Sequence, residues 1–222
     1  HYARVQNGTL LKGVDGNKDQ SYFLYRVTEE ALNKTLFPLG EYEKPKVREL
    51  AAERNLITAR KKESTGICFV GKVGIKEFLQ NYVTTEPGPI IEQNGVTIGE
   101  HDGAIFYTIG QRHGLNVGGG LPYYVVGKDM QKNEVYVTSR IDDERLWRAE
   151  LELTDLHWIN DSPQAGKTYQ IRTRYRAPLV ACHFAGDDFS KVMLKDAIKA
   201  VTAGQSAVIY DGDLVVGGGI VT

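Results

Sequence analysis

The chain lacks most of the features that assign a protein at sight. It has two cysteines in 222 residues, too few and too far apart for a disulfide framework and suited to a reducing compartment. No apolar run approaches the roughly 20 residues that cross a bilayer as a helix, so no membrane partner is expected and a cytoplasmic location is. The opening His1-Tyr2-Ala3-Arg4-Val5 has neither an initiator methionine nor a signal-peptide pattern, and reads as the interior of a longer sequence. Neither sign of charge dominates, with 27 Lys and Arg against 28 Asp and Glu. Any nucleic-acid surface must therefore be a local patch. The five histidines, at 1, 101, 113, 157 and 183, show no metal-ligand spacing, so no metal site is expected.

What is present divides into three textures. Residues 1–70 read as mixed α/β. Tyr2–Val5 and Thr9–Gly13 are strand-like around the Asn7-Gly8 turn signal. Thr28 precedes the acidic Glu29 and Glu30 of a helical start. Lys44-Pro45 begins a second helix whose buried stripe is Val47, Leu50 and Ala51. Residues 71–146 read as a small β-rich central domain. A short helix marked by Ile75, Phe78, Leu79 and Tyr82 is followed by a hairpin about Asn94-Gly95. Ala104–Tyr107 and Tyr123–Val126 are expected to pair with Glu134–Thr138, the glycine-rich segment Gly110–Gly120 to be a mobile loop, and Asp142–Trp147 to be helix-capable. Residues 147–222 carry six short runs at barrel spacing: Ala149–Leu156, Thr168–Arg176, Val180–Phe184, Val192–Leu194, Ser206–Tyr210 and Leu214–Val221. The fold class is thus α+β, mostly β, ending in an antiparallel β-barrel.

Three stretches carry chemistry. In Lys61-Lys62-Glu63-Ser64-Thr65-Gly66-Ile67-Cys68 a thiol follows a turn and a cationic run. Neighbouring Lys and Arg raise the thiolate fraction, which is the reactive form. Between Ile67 and Phe69, however, Cys68 also reads as a buried small hydrophobe. In the loop Gly13–Phe23, Lys18, Asp19 and Gln20 offer a cation, an acceptor and an amide, the set that reads a base edge or holds a phosphate; a solvated turn is the alternative. Along Lys167–Arg176, alternation puts Arg172, Arg174 and Arg176 on one face about 6.6 Å apart, a cationic ladder suited to a phosphodiester backbone. The same three side chains would serve equally as a solvated face. Gly118–Gly120 and Gly217–Gly219 lack the context of a phosphate loop, and Cys182 reads as core.

Taken in order, GVDGNKDQSYFL, the helix after EKPKVREL, KKESTGICFVG, GEHDGAIFYTIGQRHGL, RTRYR and AVTAGQSAVIYDGDLVVGGG resemble the bacterial tRNA-specific 2-thiouridylases of the MnmA family along essentially the whole chain. NKDQSYFL and STGICF are the most specific blocks. The resemblance implies an enzyme that places sulfur on C2 of the wobble uridine in tRNAs for Lys, Glu and Gln. A PP-loop domain would adenylate the uridine with ATP and Mg²⁺, and a cysteine persulfide would supply the sulfur.

By motif, Cys68 corresponds to the persulfide-forming cysteine. Lys18, Asp19 and Gln20 fall in a tRNA-contacting loop, Arg174, Tyr175 and Gln205 match tRNA contacts in the barrel, and His1 matches a contact near the active site. The family's SGGxDSS loop and its other cysteine do not occur in these 222 residues. Residues 1–70 are then expected to be the tail of the PP-loop catalytic domain, 71–146 the central domain and 147–222 the tRNA-binding barrel. The chain by itself is expected to be inactive and without a cofactor. Its expected partners are tRNA and a sulfur-relay protein or cysteine desulfurase, and a monomer is expected. The alternative is a non-catalytic RNA-binding β-barrel module.

Overall fold

The structure, a computed structural model, describes residues 1–61, 75–115, 117, 118, 120 and 122–222. Cys68 and its flanking turn lie outside them. The chain forms two compact units, one of His1–Lys61, Ala149–Ile198 and Thr202–Thr222, the other of residues up to Arg148 with Lys199–Val201.

In the first unit, β1 (Ala3–Gln6) and β2 (Thr9–Lys12) form the expected hairpin, pairing Gln6 with Thr9 across Asn7 and Gly8. Both turn residues have positive φ, 49° and 74°, the backbone that an Asn-Gly pair adopts most readily. Helix α1 (Glu29–Asn33) is capped by Thr28, whose hydroxyl oxygen accepts from the Ala31 amide. Helix α2 (Lys44–Glu53) starts on its proline as expected but buries none of its residues fully. Val47, Leu50 and Ala51 are only half-buried, so the stripe read from periodicity is real as a pattern and shallow as a contact.

The barrel is built from β7 (Trp147–Trp158), β8 (Tyr169–Arg172), β9 (Val180–Phe184), β10 (Lys191–Lys199), β11 (Ser206–Asp211) and β12 (Leu214–Val221). Neighbours run β12-β11-β8-β9-β10-β7, and β7 returns to β12 to close the ring. Closure removes free edges. Inward positions of successive strands meet in the middle: Tyr169 and Ile171 from β8, Cys182 and Phe184 from β9, Val192 and Leu194 from β10, and Ala207 and Ile209 from β11 are all buried. At roughly 1.5–3 kcal/mol per large apolar side chain removed from water, these residues dominate the stability of the unit. Gly217 has φ 149°, and a Cβ there would stand 2.1 Å from the His157 carbonyl oxygen. The seam between β12 and β7 therefore requires glycine, which is the use of a run that carries no phosphate-loop context.

Residues 1–61 share a core with the barrel. Ala3, Leu10, Tyr22, Tyr25 and Leu32 cluster with Ile159, Val208, Tyr210 and Val215. The hairpin extends the barrel sheet, Leu11 opposite Leu214.

The second unit carries β3 (Gly88–Glu92), β4 (Thr97–His101), β5 (Tyr124–Asp129) and β6 (Glu134–Thr138) in the order β4-β3-β6-β5, after a short helix α3 (Ile75–Leu79). Its core is Ile90, Ala104, Tyr107, Leu115, Val125, Val135 and Val137. Two sequence expectations need correction here. Ala104–Phe106 is a 3₁₀ turn, and while β5 pairs with β6 as expected, the strand on the other side of β6 is β3, in parallel. The turn forms because Gly103 takes φ 141°, the Gly103 amide donates to His101 Nδ1, and the Ala104 amide donates to Asn133 Oδ1. The helix-capable stretch is a single 3₁₀ turn, Glu144–Leu146, capped by Asp143. Side-chain hydrogen bonds from Arg145 hold the Asp143 carboxyl well below the usual carboxylate range.

Candidate nucleic-acid interface

The loop before the first aromatic run is fastened by its own acids. Asp15 Oδ1 accepts from the amides of Asn17 (3.0 Å) and Lys18 (3.2 Å), and its Oδ2 accepts from the Lys44 amide at the start of α2 (2.8 Å). Asp19 turns inward and is 3 % exposed. Its Oδ1 accepts from the amides of Gly13 (3.0 Å) and Ser21 (3.1 Å), while Oδ2 accepts from Arg172 Nη1 at 3.3 Å. Gln20 is bound twice to Tyr2, donating its amide to the Tyr2 carbonyl (2.8 Å) and accepting from the Tyr2 amide on Oε1 (3.0 Å). That pairing sets the exposed His1 beside the loop.

The expected arginine ladder is not there. Strand β8 ends at Arg172 and the chain turns through residues 173–176, with Arg176 at φ 64°. Period-2 alternation stops where the strand does. Arg172 is buried against Asp19, with its guanidinium 5.6 Å from the Tyr210 ring. Arg174 and Arg176 are exposed on the turn. Arg176 donates from Nε to the Asn17 carbonyl (2.9 Å) and lies 5.2 Å from the Tyr175 ring centroid.

Tyr22 ties three segments together. Its hydroxyl lies 3.1 Å from the Thr173 carbonyl and 2.8 Å from that of Ser206. Burial, then the adjacent Tyr25, pushes its pKa up to about 12, so the hydroxyl keeps the proton it donates. Tyr25 adds a 3.1 Å contact to the Ser206 hydroxyl. Phe23, 54 % exposed, leans on Tyr175 with ring centroids 4.8 Å apart. Next to Ser206, Gln205 closes its own turn, accepting on Oε1 from the Thr202 amide (3.2 Å) and donating its amide to the Thr202 carbonyl (3.2 Å).

Of the residues singled out in the sequence, Lys18, Gln20, Arg174, Tyr175 and Gln205 thus sit on segments that Tyr22 and Arg176 hold together. Asp19 faces inward and orders the loop. Phe23, Tyr22 and Asp15 escaped the sequence reading; an aromatic run directly after a polar turn was the available signal for the first two. The face offers exposed guanidiniums beside accessible rings, the combination on which RNA phosphates and unstacked bases bind. Among the described residues no three His, Cys, Asp or Glu side chains converge on a possible metal site. No described helix is long and apolar enough to cross a membrane.

Three family models match consecutive stretches: "tRNA methyl transferase HUP domain" over residues 1–72, "tRNA methyl transferase PRC-barrel domain" over 76–139 and "Aminomethyltransferase beta-barrel domain" over 148–221. The whole chain aligns with the tRNA-specific 2-thiouridylase MnmA of Neisseria meningitidis serogroup C (strain 053442) at 49 % identity. Those of Idiomarina loihiensis and Bacillus subtilis (strain 168) align, again over the whole chain, at 44 % and 41 %. The chain belongs to the MnmA family. It spans 62 % of the length of the Neisseria and Bacillus relatives and 63 % of the Idiomarina one. The β-barrel match falls on the six closed strands, and the HUP-domain match contains the fastened loop 13–20. The MnmA motif residues of that loop therefore lie beside barrel residues matched by a different model.

Proposed function

We propose that this chain is the RNA-binding and sulfur-carrying portion of a tRNA-uridine 2-sulfurtransferase that makes 2-thiouridine at the wobble position of tRNAs for Lys, Glu and Gln. The observation that carries the reading is the union, through the Tyr22 hydroxyl, of loop 18–20 with the Arg174-Tyr175 turn and the Ser206 backbone. Lys18, Arg174 and Arg176 would neutralise phosphates, and Phe23 with Tyr175 would receive an unstacked base. His1, Gln20 and Gln205 would complete the contact, with Asp19 acting from beneath.

Cys68 would carry the sulfur as a persulfide. Its terminal sulfur attacks C2 of the activated uridine, the C2–O bond breaks and AMP leaves with the electron pair. Cys68 then remains joined to C2 through a disulfide. A second thiolate attacks the Cys68 sulfur, forms a protein disulfide and releases the 2-thiouridine sulfur with its electron pair. Cys182 is unsuited to that second role, because burial pushes its thiol up to about 12. ATP and Mg²⁺ supply the activation; their SGGxDSS loop is not among these 222 residues.

The test is made on the full-length protein. Cys68→Ser should abolish thiolation while leaving ATP-dependent adenylation of tRNA intact, since a hydroxyl holds no transferable sulfur. Product mass decides between exchange of oxygen for sulfur and addition of a methyl group, the chemistry that the family-model descriptions name. Retained 2-thiouridine, or a methylated product, overturns the reading. Unimpaired tRNA binding with no thiolation in the unaltered protein would favour the non-catalytic RNA-binding module.

A further inference from the structure

The motif Thr108-Ile109-Gly110-Gln111-Arg112-His113-Gly114-Leu115 has no part in the interface above and lies wholly in the second unit. Its sequence reads as mobile, yet its backbone is tied down throughout. The Gly110 amide donates to the Val125 carbonyl (2.7 Å), and the Val125 amide donates to the Gln111 carbonyl (3.0 Å). Gln111 spans the turn, accepting from the Thr108 amide on Oε1 (3.1 Å) and donating from Nε2 to the His113 carbonyl (2.9 Å). Tyr107 donates its hydroxyl proton to the Gly114 carbonyl (3.2 Å), and Leu115 is buried in the core. Gly110 has φ 79°, and a Cβ there would lie 2.1 Å from Ala200 Cβ, so the close approach is built for glycine alone.

All this order presents two polar side chains to solvent. Arg112 and His113 are exposed and have no side-chain hydrogen bond or ion pair among the described residues. Two other arginines of the unit are engaged: Arg140 pairs with Asp142 (3.1 Å) and Arg145 with Asp143 (2.8 Å). Beside the loop is a cleft of 320 Å³ lined by Arg112, His113, Leu115, Val117, Pro122 and Tyr123 among others. Among the described residues no carboxylate lines it, whereas the clefts at Arg4 and at Lys167 each contain at least two. Next to Tyr123, Lys199 Nζ sits 4.3 Å from the Tyr124 ring centroid, adding positive charge on the same unit. A guanidinium, an imidazole and a phenol ring around an acid-free concavity match one nucleotide, phosphate on Arg112 and base or ribose against Tyr123. A loop already fixed loses little conformational entropy on binding.

We infer that this cleft is a second RNA-contact site, taking a single unpaired or splayed nucleotide of the bound tRNA. The inference rests on the RNA-binding reading of the protein.

The experiment measures binding of tRNA to the protein across a series of salt concentrations, comparing Arg112→Ala, Arg112→Lys, Tyr123→Leu and Arg140→Ala with the unaltered protein. Arg112→Ala should weaken binding about five- to tenfold and flatten the log K against log salt slope by about one unit, one phosphate contact being lost. Arg112→Lys should restore the slope. Tyr123→Leu should weaken binding at unchanged slope. Arg140→Ala removes the same charge from a paired arginine and should leave the slope unaltered. If Arg112→Ala behaves like Arg140→Ala while Arg174→Ala loses its contact, the second site is overturned and the interface on the first unit stands. Failure of the unaltered protein to bind tRNA overturns both. Unchanged tRNA binding by Arg112→Ala with slowed sulfur delivery would assign the cleft to an acidic protein partner and overturn the RNA site.

Discussion

Arg172 and Asp19, 153 positions apart in the chain, meet as a buried pair with Nη1 3.3 Å from Oδ2. The arginine that alternation would place on a phosphate-facing ladder is thereby spent beneath loop 13–20, paired with the acid that organises it.

Removing one partner strands the other in the interior. Asp19→Ala leaves Arg172 unpaired and two amides without an acceptor, and should cost about 3–5 kcal/mol of stability, read from the urea midpoint. Asp19→Leu combined with Arg172→Met should cost less than Asp19→Ala, because no lone buried charge remains. Arg172→Met should leave the salt slope of tRNA binding unaltered. A slope lower by about one unit would return Arg172 to the RNA face.

Tyr22→Phe keeps the ring and deletes the hydroxyl that bridges Thr173 and Ser206. The two carbonyls lose the one proton they share, so stability should fall by about 1–2 kcal/mol. Binding of tRNA should weaken without a change in salt dependence, since no phosphate contact is removed. Unaltered affinity would show that loop and barrel turn hold their places without the bridge.

Alkaline pH should destabilise the first unit in two steps. Burial raises the Cys182 thiol from 9.0 to about 12 and the Tyr22 and Tyr210 phenols from 10.0 to about 12. Above pH 9 the unfolded chain releases these protons while the folded chain retains them. The contribution is therefore complete below pH 9 and lost by about pH 12, at up to about 1.4 kcal/mol per pH unit for each group. Urea midpoints taken from pH 8 to 11 should fall, and Cys182→Ala should remove the first part of the decline. A flat profile would refute the assignment.

The two thiols should differ sharply towards an alkylating reagent. Cys182 is 2 % exposed with its ionisation suppressed by burial, and should react only on unfolding. Cys68 follows Arg60, Lys61 and Lys62 and should react in the folded protein with an apparent pKa below the ~8.5 of a free thiol. Mass spectrometry of partially alkylated protein checks both, and equal protection of the two would remove Cys68 as sulfur carrier.

Local signals in the sequence translated well into structure. Asn7-Gly8 and Asn94-Gly95 mark real hairpins, Thr28 caps its helix, and the barrel runs became strands because alternation and turn chemistry act within a few residues. Features decided at a distance were not legible. Arg172, at the end of β8, pairs with Asp19 in another segment, and the parallel partner of β6 is a strand more than forty positions earlier. Order in residues 108–115 rests on Val125 and on Gln111, an amide side chain that composition treats as loop material. In the candidate interface, motif residues told which segments matter. The hydroxyl that joins them was hidden, because Tyr22 reads simply as an aromatic in a core run.

Strand β12 touches more of the fold than any neighbour-to-neighbour reading conveys, bonding to β11, β7 and the β1–β2 hairpin at once. It is also the last of the six barrel strands in chain order. During synthesis the five earlier barrel strands therefore wait as an open sheet, with β7 and β11 each showing an unsatisfied edge and the hairpin lacking its dock. Emergence of Leu214–Val221 from the ribosome ends that state in one event. The timing makes this glycine-bearing strand the point at which a nascent chain either closes its barrel or pairs with another copy.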